Sequence, residues 1–206
     1  MSTIKIIIVD DHAILRKGLT SLLNAKKDLS VIGEAEDGKT AVALTDKLHP
    51  DVIIMDLAMP GMDGVETTRR IVSRMPCAKI LILTTFGTSD GIAHALDAGA
   101  LGAVMKNVEL SGLLDAVYAT AAGQRFISDD IQQILRQDPP LPALSPRQLE
   151  ILQSIERGLS NADIAKQLGI GLYMVKEHVN ALFNKLGAAN RTEAVAIALR
   201  KHLLKI

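Results

Sequence analysis

Two hydrophobic patterns alternate along residues 1–122. Short apolar, β-branched runs are typical of buried strands, and they occur at 5–9, 31–33, 52–55, 80–83 and 103–105. Between them, apolar residues recur at helical spacing, in stretches around 14–23, 40–48, 64–74, 90–98 and 109–122. Strands that are apolar throughout and separated by helices indicate a parallel sheet covered on both faces. We therefore predict a doubly wound α/β domain with a five-stranded parallel sheet, whose ligands lie at the carboxyl ends of the strands.

The pattern changes after residue 122. Pro139, Pro140 and Pro142 resist regular structure and stiffen the chain, so they predict a linker over residues 123–143. Within it, residues 129–136 are compatible with a short helix. No strand pattern follows the linker, and residues 144–206 are therefore predicted to be all-helical.

The helices of this second domain carry recognisable start signals. Ser145, Pro146 and Gln148 combine an N-cap, a proline at the first helical position and a capping box. Ser160 and Asp163 repeat the start signal for a second helix, which ends before a glycine. Two short helices joined by a tight turn containing glycine indicate a helix-turn-helix. Two more helices of this four-helix domain are predicted at 173–186 and 191–203.

The composition excludes several classes of protein. Of 206 residues, 48% are hydrophobic and 22% are charged, which is typical of folded domains. A single cysteine, Cys77, excludes an intramolecular disulfide framework and a Cys-rich zinc site, and favours the reducing cytoplasm. Five aromatic residues are too few for a platform that stacks single-stranded bases. No apolar run reaches the ~18 residues of a membrane helix, so we expect no membrane partner.

Polar residues with complementary chemistry follow the predicted strands. Asp10 and Asp11 follow the first strand, Asp56 the third, Thr84 ends the fourth and Lys106 follows the fifth. Any one of them has an ordinary structural explanation, as a cap or a solvated charge. Together at one sheet edge, however, carboxylates repel each other unless a cation joins them, and Mg²⁺ suits such oxygen ligands. The set predicts a phosphoryl-transfer site with a carboxylate nucleophile.

The motifs VDDH, DVIIMDLAMPGMDG, ILILTT and AVMK resemble the receiver domain of two-component response regulators, over residues 4–122. The resemblance implies the strand order 2-1-3-4-5 and phosphorylation of Asp56 by a histidine kinase. It also implies roles for the neighbouring residues. These are Mg²⁺ binding by Asp11, Asp56 and the backbone carbonyl of Ala58, with Asp10 acting through water, and contacts to the phosphoryl oxygens from Thr84 and Lys106.

Two positions depart from the receiver pattern. Ala103 stands where the family commonly has an aromatic residue that moves with Thr84, and Asn107 stands where a proline often follows the lysine. Neither change removes the phosphorylation chemistry. The Ala103 change concerns how phosphorylation of the receiver is transmitted to the second domain.

The segment from Leu144 onward, including GLSNADIAKQLGIGLYMVKEHVNALFNKLG, resembles the LuxR-type helix-turn-helix of NarL/FixJ regulators. The resemblance implies that the helix at 173–186 enters the major groove of double-stranded DNA. It further implies a set of DNA contacts. Lys176 matches the family's DNA-contacting lysine, Asn180 lies one turn further along the same face, and His178, Lys185 and Arg191 are candidates for backbone contacts.

Two residues at the start of this helix region differ from the family pattern, and a third is unfavourable next to DNA phosphates. Gly171 replaces the usual serine cap, and Met174 replaces a threonine that would contact a phosphate. Glu177 would repel phosphates unless it points to a base or pairs with a lysine. For Arg191, a local capping contact is an alternative to a DNA contact.

The net charge differs in sign between the two predicted domains. The chain is neutral overall, with 23 basic and 23 acidic residues. Residues 1–122 carry 12 basic and 15 acidic side chains, whereas residues 144–206 carry 9 and 5. A basic second domain suits contacts with DNA phosphates.

The main hypothesis is therefore a transcription factor controlled by phosphorylation of Asp56, which forms a homodimer on paired DNA half-sites. One alternative keeps DNA binding but uses the receiver as a fixed dimerisation module. A remote alternative is a Mg²⁺-dependent aspartyl phosphatase. That chemistry needs a second carboxylate two residues after the nucleophile, where this chain has Ala58. We therefore expect that the protein is not an enzyme.

Overall fold

The computed structural model describes residues 3–85, 89–142, 144–201 and 203–204. The chain divides into two compact units, Met1–Pro139 and Pro140–Ile206. Residues 1, 143 and 206, which bound the predicted domains, lie outside the described part. None of the helices in these described ranges combines the length and the apolar character required to traverse a bilayer.

The first unit alternates strands and helices as predicted. Its strands are β1 (Ile4–Val9), β2 (Leu29–Ala35), β3 (Val52–Met55), β4 (Ile80–Thr84), β5 (Gly102–Met105) and β6 (Phe126–Ile127). Its helices are α1 (Ala13–Asn24), α2 (Gly38–Leu48), α3 (Gly64–Arg74), α4 (Ser89–Asp97), α5 (Leu110–Ala121) and α6 (Asp129–Gln137). All strand pairs are parallel, in the order β2-β1-β3-β4-β5-β6. The predicted order of five strands is confirmed, and a sixth, two-residue strand extends the sheet beside β5.

Both faces of the sheet are covered because successive strand residues point to opposite sides. Ile7 and Ile53 pack on the face covered by α2, α3, α4 and α6. Ile6 and Ile54 pack on the opposite face, which is covered by α1 and α5. This two-sided burial explains why the strands read as unbroken apolar runs.

Most of the segment that was predicted as a linker, up to residue 139, belongs to the first unit. β6 pairs with β5, and the Ser128 N–H donates to the carbonyl of Ala103 at 3.1 Å. Ile131, on α6, is fully buried, and Ile134 and Leu135 pack against the same core. Burying such side chains stabilises the docked helix by about 1.5–3 kcal/mol for each fully buried one. The helix at 129–136 left open by the sequence is therefore part of the first unit.

The second unit is helical. It contains α7 (Pro146–Glu156), α8 (Asn161–Leu168), α9 (Leu172–Leu186) and α10 (Arg191–Arg200). Both predicted capping boxes are present, Ser145 with Gln148 and Ser160 with Asp163. Gly169, in the left-handed conformation at φ 64°, ends α8 and allows the tight turn into α9.

α10 ends at Arg200 rather than at the predicted Leu203. Lys201 follows the helix, and the Leu203 N–H donates to the carbonyl of Ala198 at 2.8 Å. Leu204 packs into the core of the unit, where it is 5% exposed. Burial of this leucine replaces the final helical turn.

Candidate functional site

The parallel register of the central strands brings the predicted polar residues to one edge of the sheet. Val9 pairs with Met55, and the Asp56 N–H donates to the carbonyl of Val9 at 2.9 Å. Asp10 and Asp56, which follow these strands, therefore emerge side by side. Further along the sheet β4 pairs with β5, and Thr84 at the end of β4 lies opposite Met105, the residue before Lys106.

Lys106 connects the two buried carboxylates. Its Nζ lies 2.7 Å from Asp10 Oδ2 and 2.8 Å from Asp56 Oδ2. The Asp10 and Asp56 side chains are each 2% exposed and the lysine side chain 5%. Buried charges require such partners, because desolvation is costly for an unpaired ion.

Two exposed residues complete an acidic cluster at this edge. Asp11 and His12 follow Asp10, and His12 Nδ1 lies 2.8 Å from Asp11 Oδ1 and 3.4 Å from Asp10 Oδ1. One potential ligand atom from each of Asp10, Asp11, His12 and Asp56 lies within 4.8 Å of the others. His12 was not among the predicted site residues, although its position directly after the two aspartates was the available signal.

Burial sets the protonation of the central pair. Burial raises the pKa of Asp56 above its ordinary value, against the hydrogen bond and the charge of Lys106, which lower it. Burial lowers the pKa of Lys106, but hydrogen bonds to Asp10 and Asp56 and their charges outweigh it and leave the pKa raised. Lys106 is therefore a cation at neutral pH, beside a carboxylate that is more basic than usual.

The remaining predicted residues of the first unit lie around this pair. Thr84 is buried, and its carbonyl accepts from the Lys106 N–H at 2.8 Å. The Ala58 N–H donates to Asp56 Oδ1 at 3.5 Å, a long hydrogen bond. Ala58 itself is exposed. The structure thus brings Asp10, Asp11, Asp56 and Lys106 together, with Thr84 next to the lysine.

Gly64 is a further residue that the site depends on. A Cβ at Gly64 would lie 2.2 Å from the backbone oxygen of Asp56 and 2.8 Å from the Cα of Leu57. Only glycine allows α3 to begin this close to the end of β3. The position was missed because nothing in the local pattern shows which backbone it approaches.

In the second unit, α9 has one buried face and an exposed side that carries both polar and large apolar side chains. Val175, Val179, Leu182 and Leu186 are buried in the core of the unit. Lys176 and Asn180 are exposed, as the predicted DNA contacts require, and His178 is half-buried.

The last two predicted DNA contacts are engaged within their own unit. Lys185 Nζ donates to Gln148 Oε1 at 3.0 Å. Arg191 Nη1 donates to the carbonyl of Leu159 at 2.8 Å, and its Nη2 bonds to Asn161 Oδ1. These contacts tie α9 and α10 to neighbouring segments. The partners of Arg191 lie 32 and 30 residues away in the chain, and the cap of α10 is made by the Asn190 side chain, which accepts from the Glu193 N–H.

The doubly wound sheet with a paired, buried aspartate at its edge, followed by a helix-turn-helix, defines the class of two-domain DNA-binding regulators. Family models agree with this class. Residues 6–118 match the response regulator receiver domain, and residues 142–198 match the bacterial regulatory proteins of the luxR family.

Full-length relatives give the same result. The transcriptional regulatory protein LiaR of Bacillus subtilis (strain 168) is 37% identical over 209 residues, which cover 98% of this chain and 99% of LiaR. The crystal structure of the response regulator ChrA, from a heme-sensing two-component system, is 38% identical with a TM-score of 0.60, over 99% of this chain and 100% of that one. A structure of RcsB dimers bound to DNA is 27% identical with a TM-score of 0.67, over 96% and 98%.

The chain therefore belongs to the two-component response regulators that join a receiver domain to a LuxR-type DNA-binding domain. This family consists of transcriptional regulators rather than enzymes, so the phosphatase alternative is set aside.

Proposed function

We propose that this response regulator controls transcription through phosphorylation of Asp56 by a cognate histidine kinase. The observation that supports this assignment is the buried Asp56 carboxylate held by Lys106 Nζ at 2.8 Å. A surface aspartate would be well solvated and a poor nucleophile, whereas desolvation raises the pKa of Asp56 and increases its basicity.

In the proposed reaction, a carboxylate oxygen of Asp56 attacks the phosphorus of a phosphohistidine on the kinase. The phosphorus–oxygen bond forms, the phosphorus–nitrogen bond breaks, and the electron pair returns to the imidazole. Lys106 supplies positive charge to the transferred oxygens, and the hydroxyl of Thr84, at the end of β4, contacts one of them. Through this contact with Thr84, phosphorylation of Asp56 would act on the backbone at the end of β4.

The donor set at this edge fits Mg²⁺. Asp11 and Asp56 offer carboxylate oxygens, Ala58 a backbone carbonyl, and Asp10 a carboxylate that would act through water. These are hard oxygen donors, and an acidic cluster with a single buried lysine still carries excess negative charge. When bound, Mg²⁺ neutralises charge on the phosphoryl oxygens. His12 offers a nitrogen, which Mg²⁺ disfavours, and we assign it no role as a ligand.

For the output, we propose that α9 enters the major groove, with Lys176 and Asn180 as its principal DNA contacts. Both are exposed on a unit with net positive charge. His178, Lys185 and Arg191 remain weaker candidates for phosphate contacts. Phosphorylation would favour a homodimer on paired half-sites, since two-fold symmetric proteins read half-sites about one helical turn apart or multiples of that. We further propose that the protein acts in the cytoplasm, where a bacterial transcription regulator meets its DNA.

The test compares wild type with Asp56→Asn. Binding to genomic DNA fragments is measured with and without acetyl phosphate and Mg²⁺, and phosphorylation is followed by intact-protein mass. Asp115→Asn, an exposed aspartate on α5, is the matched control. We expect the phosphodonor to strengthen DNA binding in wild type and Asp115→Asn but not in Asp56→Asn. Equal stimulation of all three proteins contradicts the proposed switch.

One observation supports the alternative of a phosphorylation-independent regulator. Ala103 is fully buried, and its carbonyl accepts from Ser128, so β6 and α6 adjoin the position where the family commonly has a movable aromatic residue. This alternative predicts phosphorylation of Asp56 with no change in DNA affinity, or no phosphorylation at all.

A further inference from the structure

Glu177 is an acidic residue on the outer face of α9. It shares that face with Tyr173, four residues before it, and with Asn180 and Asn184, three and seven residues after it, and all four are exposed. The face lies opposite the buried valines and leucines of the same helix. Tyr173 is 71% exposed, so a large apolar ring also projects outward one turn before Glu177.

No cation compensates Glu177 within the part of the chain that the structure describes. The residues three and four positions away on α9 are Met174, Tyr173, Asn180 and Ala181, and none is basic. Lys176 is adjacent in sequence, and adjacent residues do not face each other on a helix. Among the described residues, Glu177 forms neither an ion pair nor a hydrogen bond through its side chain. The carboxylate is therefore free to meet a partner outside the protein.

A carboxylate is a poor neighbour for DNA phosphates, so its place on this face needs a different contact. In the major groove the only strong donors are exocyclic amino groups, N4 of cytosine and N6 of adenine. On adenine, the amino group lies beside the N7 acceptor, which repels a carboxylate. Cytosine has a C–H at the equivalent place, so an acidic side chain selects cytosine.

We propose that Glu177 reads one cytosine in each DNA half-site by accepting a hydrogen bond from its N4 amino group. Glu177 is thus a specificity-determining residue, and it deepens the proposed function because it rests on the placement of α9 in the major groove. The basic surroundings supply affinity independent of sequence, and Glu177 lowers that affinity everywhere except where a donor is present.

The test is selection from randomised DNA duplexes by the full-length chain, with Mg²⁺ and with or without acetyl phosphate. The variants are Glu177→Gln and Glu156→Gln, the second being an exposed glutamate at the end of α7 that removes the same charge. We expect wild type and Glu156→Gln to enrich cytosine at one position of each half-site. Glu177→Gln should prefer adenine there, because glutamine bonds to both N6 and N7. Replacing the C·G pair by A·T should weaken wild-type binding about tenfold and should not weaken binding of Glu177→Gln.

Three outcomes would overturn the inference. If Glu177→Gln binds all duplexes more tightly and enriches the same motif as wild type, Glu177 acts only through charge. If the wild type does not enrich cytosine at any position where Glu177→Gln changes the preferred base, the proposal that Glu177 reads cytosine is wrong. If wild type enriches no duplex under either condition, the placement of α9 in DNA fails as well, and that result is distinct from the first two. Circular dichroism of each variant verifies that the helices are retained.

Discussion

Replacing Lys106 by methionine tests how the phosphoacceptor site is held together. Methionine keeps much of the length of the side chain but removes the charge that lies 2.7 Å from Asp10 and 2.8 Å from Asp56. Two carboxylates, each 2% exposed, would then face each other without a cation. Removing one partner of a buried ion pair typically costs about 3–5 kcal/mol.

We expect a loss near the lower end of that range, about 3 kcal/mol at neutral pH without divalent cations. The reason is that burial already raises the pKa of Asp56, so a proton can be taken up in place of the lost cation. For a unit of this size, such a loss lowers the melting temperature by roughly 10 °C. The assay is urea and thermal unfolding of the full chain, followed by circular dichroism in EDTA.

Two comparisons make the result specific to the site. Lys17→Met removes an ion pair between the exposed Lys17 and the half-buried Glu34 at 3.2 Å, and it should cost less than about 1 kcal/mol because Glu34 keeps Arg16 as a partner. Adding Asp10→Asn to Lys106→Met removes one of the two opposed carboxylates and should recover about half of the loss. If Lys106→Met is no more destabilising than Lys17→Met, the buried pairing does not have the energetic role argued from its geometry.

Three further predictions concern the first unit. Gly64→Ala should destabilise the unit by about 2–3 kcal/mol in urea unfolding and slow phosphorylation, since the new Cβ meets the Asp56 backbone. The control Gly18→Ala, which has open space around it, should stabilise α1 by about 0.5–1 kcal/mol. Asp56→Asn should stabilise the protein increasingly as pH rises above the ordinary carboxyl range, because a raised folded pKa means that wild type loses stability there; melting temperatures that run parallel from pH 4 to 8 would contradict this. Ile131→Ala should cost about 2–5 kcal/mol in the unfolding of the first unit, and a loss below about 1 kcal/mol would show that α6 does not belong to it.

Much of the candidate site was predictable because its residues follow strands. The carboxyl ends of parallel strands meet at one edge, so Asp10, Asp56 and Lys106 could be brought together from sequence position alone. The sequence did not show that Lys106 would bond to both carboxylates, because that pairing depends on the side-chain packing of three strands. Nor did it identify Gly64, whose role is a close approach to the backbone of another element.

In the second unit, local signals predicted the helices well but did not predict what the side chains contact. Lys185 and Arg191 were candidates for DNA contacts because they are basic and near α9. The structure gives both of them partners within the second unit, on α7, at the start of α8 and just before it. The sequence raised the question of Glu177, and the structure showed that no partner among the described residues neutralises it.

The sequence by itself determined the elements, their order and the two classes of domain, because helical periodicity, strand runs, caps and glycine stops act over a few residues. Only the tertiary structure decided that α6 completes the first unit and that Lys106 bridges residues 96 and 50 positions earlier in the chain. It also decided where α10 ends. These features depend on which surfaces bury each other, and burial is a property of the folded chain rather than of any segment.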